Sequence, residues 1–142
     1  VSSAFWANTT PTSTQFTVGA NSSSVNNTGD NFIAYLFATV PGVSKVGFYS
    51  GTGNAIDVDC GFSNGARFVM IKRTTGSGSW YMWDTTRGIA SGNDPILFAN
   101  LSNTETSSFD YIDPLSSGFQ VPAGAPQQLN QSGHVYMFLA IA

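Results

Sequence analysis

Of the side chains able to do chemistry, the sequence holds one imidazole, one thiol, eight acids and a run of aromatic rings, and their spacing decides what each can do. His134 lies in "NQSGHVY", and no serine sits in a Gly-x-Ser-x-Gly turn, so no Ser-His-Asp relay is read. Glycoside hydrolysis needs two carboxylates at a set separation. Asp57, Asp59, Asp84, Asp94, Glu105, Asp110 and Asp113 offer many pairs and no distinctive one. Asp57 and Asp59 in "IDVDCGF" share one face of a strand and could approach Ca²⁺, but the alternating Asp/Asn ligand run with its glycine is missing. No catalytic residue, metal ligand or cofactor site is assigned. Cys60 stands alone, which excludes an intrachain disulfide, and among apolar neighbours it reads as a small buried hydrophobe.

Two local groups carry more structure. In "SWYMWD" the rings of Trp80, Tyr81 and Trp83 could stack on the apolar C–H face of a pyranose, or pack into a core; core packing is the favoured reading. In "WDTTRG", Asp84 closes a strand, Thr85 and Thr86 favour a turn, and Arg87 can return to the Asp84 carboxylate as a bidentate pair before Gly88. Asp84 and Arg87 are thus expected to lock a turn. Five Asn-x-Ser/Thr sequons begin at Asn8, Asn21, Asn26, Asn100 and Asn130; a chain this rich in Asn, Ser and Thr produces several by composition.

The elements that position these groups follow from composition. Charged residues make up only 9% of the chain, with a net charge of −3, so hydroxyls, amides and glycines carry the polarity. The five basic residues are scattered, which excludes the clustered patch that nucleic acid requires. No apolar run reaches the length of a membrane-spanning helix, so no membrane insertion is expected. Short alternating runs punctuated by 15 glycines and 6 prolines predict strands near 15–19, 31–38, 45–50, 55–60, 67–73, 79–84, 95–99, 108–112, 117–121 and 134–141. This pattern is an all-β, antiparallel β-sandwich, jelly-roll-like, with short strands and little or no helix. Residues 67–73 and 79–84 flank "TTGSG" and are expected to form a β-hairpin.

The chain also repeats itself. "VNNTGDNFIAYLFA" from Val25 aligns with "LNQSGHVYMFLAIA" from Leu129, pairing Gly29 with Gly133 and Phe32 with Tyr136 at an offset of 104. "PTSTQFTV" from Pro11 aligns with "PLSSGFQV" from Pro114 at an offset of 103. Residues 1–38 therefore read as the C-terminal part of a preceding module and 39–142 as a complete β-sandwich module, a piece of a longer repeat. The strand at 31–38 is apolar at nearly every position and needs cover on both faces.

The succession "IDVDCGFSNGARFVMIKRTTGSGSWYMWDTTRG", "ILFANLSNTETSS", "LSSGFQV" and "LNQSGHVYMFLAIA" resembles a tandem β-module of tail-fibre and other virion structural proteins of tailed bacteriophages, notably marine phages and cyanophages. The match runs through 45–142, and 5–38 match the module's tail. Ala66 and Arg67 stand where that family often has proline, and Ile141 where an aromatic is usual. The resemblance implies a non-enzymatic domain of a tail fibre or receptor-binding protein, exposed on the virion. Its implied partners are further copies of itself, as a trimer or repeating assembly, and a host cell-surface polysaccharide; no cofactor comes with it. Phe68, Ile71, Lys72, Asp84, Arg87, Gly88, Gly118, Phe119, Val121, Gly133 and Tyr136 occupy the matching positions and are expected to determine the fold. The alternatives are a carbohydrate-binding or surface-filament module of a secreted cellular protein, and a capsid decoration protein.

Overall fold

A computed structural model of the chain describes residues 3–20 and 24–142, so the sequon at Asn21 lies outside the described residues. Contacts divide the chain into two units, Val1–Leu36 and Phe37–Ala142.

Short alternating segments without helical periodicity can satisfy their backbone only by pairing with each other, and in the second unit they do so in two sheets. Its strands are β1 (Ser44–Ser50), β2 (Ile56–Asp59), β3 (Phe68–Arg73), β4 (Trp80–Asp84), β5 (Leu97–Phe98), β6 (Asp113–Leu115), β7 (Gly118–Val121) and β8 (Val135–Ile141). One sheet has the order β1-β8-β3-β4-β5 and the other β2-β7-β6, with every pairing antiparallel. The fold is an all-β antiparallel sandwich. Among the described residues its eight strands divide five and three between the two sheets. Among the described residues, helix is confined to α1 (Ser3–Trp6) and α2 (Gln127–Asn130), each of four residues.

The hairpin forms as its alternation requires, with Phe68 opposite Asp84, Met70 opposite Met82 and Lys72 opposite Trp80. β8 lies between β1 and β3 and is apolar at every position. Tyr136, Phe138 and Ala140 enter the core with Val69, Ile71, Trp83, Phe119, Val121 and Leu129. Met137, Leu139 and Ile141 alternate to the opposite face. Leu139 is buried yet lies outside the core cluster, in an apolar row that crosses all five strands as Val46, Leu139, Met70, Met82 and Leu97.

Two glycines are fixed by crowding. A β-carbon on Gly118 would lie 2.1 Å from the Val58 carbonyl oxygen, and one on Gly51 would lie 2.3 Å from that of Gln131. Both backbones approach too closely for any side chain.

Three expected strands do not form. At 108–112 the amides of Tyr111 and Ile112 bond to the Asp94 carboxylate, so the ladder begins only at Asp113. Segments 15–19 and 31–38 lack pairing partners, because the first unit contains no strand among its described residues. That unit is held by turns and loop contacts instead. Gly19 N–H donates to the Phe5 carbonyl, Asn26 Nδ2 donates to that of Gly19, and the Trp6 and Phe16 rings meet edge to face with centroids 6.3 Å apart. These segments line an apolar cleft of about 790 Å³, with Trp6, Phe16, Val18, Val25 and Phe32 on its walls.

Candidate functional site

The hairpin exit is the most constrained of the sequence-derived sites. β4 ends at Asp84, whose Oδ1 accepts from the amides of Thr86 and Arg87, both at 3.0 Å, while its backbone carbonyl accepts from Gly88 N–H at 2.9 Å. Oδ2 takes the Arg87 Nη2 at 2.6 Å. The lock exists, but it is not the expected bidentate fork: one carboxylate oxygen caps the turn, and Arg87 Nε points instead to Glu105 at 3.7 Å. Gly88 at φ +132° completes the turn. Asp84 Oδ1 and the Asp84 carbonyl hold backbone, and Oδ2 holds the Arg87 side chain. The arrangement is a structural device.

The three rings of "WYMWD" separate by strand alternation. Trp83 and Tyr81 point into the core with 1% and 9% of their surfaces exposed, so neither offers a face to a sugar. Tyr81 stacks on Trp83 at 6.0 Å and meets Phe98 edge to face at 4.9 Å. Trp80 lies on the other face of β4, partly buried, with the Lys72 ammonium 5.7 Å from its ring. A platform of Trp80, Tyr81 and Trp83 is therefore not assembled, and the core reading of Tyr81 and Trp83 is the one realised. Phe68, also on the outer face, is only half-buried.

Among the acids, the charge of Asp113 reaches Asp94 and Asp110, and that of Asp94 reaches Asp110. Asp57 Oδ1 accepts from Gln120 Nε2 at 2.6 Å, and Asp59 Oδ1 accepts from Gly61 N–H at 2.8 Å, so each is spent locally. Among the described residues, no three His, Cys, Asp or Glu side chains are placed to hold a metal ion. His134 Nδ1 lies 2.7 Å from the Thr75 carbonyl, to which it donates, and 3.0 Å from the Thr75 hydroxyl, and so ties the hairpin loop to the start of β8. Cys60 is buried, and its burial pushes the thiol up to about 11, so it stays protonated at neutral pH.

Sequence reasoning missed two buried polar centres. Asp94, fully buried, receives the amides of Ala90, Tyr111 and Ile112 at 3.0 to 3.2 Å and joins the loop after β4 to the segment before β6. Burial raises its carboxyl above the ordinary aspartate value; the three amides oppose that shift, and the charge of Asp113 adds to it. Asn130, 3% exposed, accepts from Thr52 and Gly53 N–H and donates to the carbonyls of Asn54 and Pro122. Its amide is fully engaged, so this sequon presents no acceptor in the folded protein. Nothing in the local sequence marks either residue, because both recruit partners distant along the chain.

The site chemistry and the fold together define a β-sandwich domain whose conserving forces are packing and backbone satisfaction. The whole chain, residues 1–142, matches the family described as "Domain of unknown function (DUF7483)", across both units, and the protein belongs to that family. No curated protein and no solved structure matches it.

Proposed function

We propose that this chain is a non-enzymatic structural domain of a tailed-phage virion, acting in a tail-fibre or receptor-binding assembly as a homo-oligomer. The observation that carries the reading is the apolar surface at the end of the first unit: Phe32, Ile33, Tyr35 and Leu36 are 48%, 81%, 79% and 75% exposed. Contiguous apolar surface of this kind marks a contact with another protein. The phage-like motif residues support the same reading through what they do. Ile71, Phe119, Val121 and Tyr136 fill the core, Asp84 and Arg87 lock a turn, and Gly118 permits close strand approach. A host polysaccharide would have to be met by residues other than Tyr81 and Trp83, which face inward.

Two measurements test the proposal: light scattering on the purified chain, and mass spectrometry of purified particles from a phage that encodes it. A defined oligomer and a stoichiometric virion component are expected. A chain that stays monomeric at micromolar concentration and is missing from the particles would remove the proposal. Release of reducing sugar from a bacterial polysaccharide, abolished by Asp57→Asn or Asp84→Asn, would remove its non-enzymatic part.

A further inference from the structure

The two halves of the repeat share geometry as well as sequence. Asn26 Nδ2 donates to the Gly19 carbonyl at 3.2 Å, and its aligned counterpart Asn130 donates from Nδ2 to the Pro122 carbonyl at 3.3 Å, each acceptor lying one residue past the end of the aligned Pro11 and Pro114 blocks. The following turns agree too. Asp30 N–H reaches the Asn27 carbonyl at 3.3 Å and His134 N–H that of Gln131 at 3.2 Å, with Gly29 at φ +88° and Gly133 at φ +79°. Beyond the turn the two segments part. Residues 135–141 form β8 between β1 and β3, whereas 31–37 make no backbone hydrogen bond among the described residues. Burial follows the same division: Tyr136, Leu139 and Ala140 are 0%, 5% and 0% exposed, and their counterparts Phe32, Tyr35 and Leu36 are 48%, 79% and 75% exposed.

We propose that residues 31–38 are the closing strand of a second β-module, and that its occupant is a pair of strands of the β1 and β3 type supplied by another module of this family. This deepens the assembly part of the proposed function and rests on it, though it does not require a virion. The chain's own β1 and β3 do not serve, because β8 already fills the space between them; copies of this chain that associate through the ribbon cover its apolar side chains without completing its backbone pairing. The occupant differs from them in one readable way. Phe138 lies over Gly47, where an added β-carbon would come within 2.8 Å of its ring, but the counterpart of Phe138 is Ala34. A strand facing Ala34 has room for a side chain where β1 has glycine, and needs one to fill the core.

The test extends the intact chain at its N-terminus with a copy of residues 39–103, which keeps the repeat in register. A second version carries Gly47→Val in the added copy, and a control carries the same added residues in scrambled order. Hydrogen exchange followed by mass spectrometry reads the amides of 32–36. These amides are expected to exchange rapidly in the unextended monomer and on the order of 100-fold more slowly in at least one ordered extension, with the scrambled control unprotected. The proposal is overturned if neither ordered extension protects them, if the scrambled one protects them equally, or if they are already protected in a chain that light scattering shows to be monomeric. Protection in an ordered extension of a chain that never enters particles would keep this inference and remove the virion assignment.

Discussion

Asp94 shows how one buried acid can organise a segment that would otherwise be a strand. Its carboxylate replaces a neighbouring strand as acceptor for Tyr111 and Ile112. Asp94→Ala leaves three amides short of partners, at roughly 1–3 kcal/mol for each that stays buried and unsatisfied, so a loss of about 3 kcal/mol is expected in urea unfolding. Asp110 has the opposite character. Burial, then the charges of Asp113 and Asp94, raise its carboxyl, and its Oδ1 is buried without a partner. Because the folded-state value lies above the unfolded one, the contribution of this group to stability is fully present below the ordinary aspartate value, near 4, and is lost as pH rises through the folded value. Asp110→Asn should therefore raise the thermal midpoint relative to the parent at pH 7 and give no such gain at pH 3. Equal shifts at both pH values would show that charge is not the cause. Among the rings, Trp83→Ala should cost roughly 3 to 5 kcal/mol, and the half-buried Phe68→Ala clearly less.

At the scale of elements, the hairpin β3–β4 was legible because its partner lies a short loop away and both strands alternate, so local pattern and global pairing agree. The strands expected near 108–112 and 31–38 do not form, for one shared reason. Alternation reports that a segment is suited to a sheet, not that a neighbour is present, and here a carboxylate took the place in one case and nothing did in the other. Asn130 was illegible in a similar way, since its partners at 52–54 are far away in sequence and its own context reads as a sequon. Close approach of β7 to β2 within the smaller sheet is equally silent in the sequence, where Gly118 looks like any turn glycine. Gly118→Ala should fail to give a cooperative unfolding transition, because the obstruction is the backbone of Val58, next to the Cys60 sulfur. Gly53→Ala is the matched comparison: its surroundings are open, and only its positive φ of +78° is strained, so a loss near 1 kcal/mol is expected. If the two variants unfold alike, close approach at Gly118 is not what holds β7 against β2.

At the scale of the whole molecule, the two units face different energetic problems. Phe37–Ala142 encloses its own core between two sheets, and its edge strand β1 is partly covered from within, since Val46 N–H donates to Thr39 Oγ1, which donates back to the Val46 carbonyl. Val1–Leu36 has no sheet among its described residues and ends in the exposed ribbon. Covering that ribbon would contribute roughly 5 to 10 kcal/mol at about 25 cal/mol per Å² of apolar surface, enough to drive association even after ordering costs. Removal of residues 1–36 should therefore leave the remainder folded, with a cooperative transition within about 1 kcal/mol of the parent, while abolishing the oligomer seen by light scattering. The cut falls before Phe37 so that Ala38 and Thr39 keep their bonds to Ser44 and Val46. The paired substitution Ile33→Asp with Tyr35→Asp in the full-length chain should reproduce the loss of assembly without touching the second unit. Normal assembly by both variants would place the interface elsewhere, with the apolar row on the outer face of the five-stranded sheet as the next surface to probe. Failure of the truncated chain to fold would instead mean that the second unit needs the first for its stability.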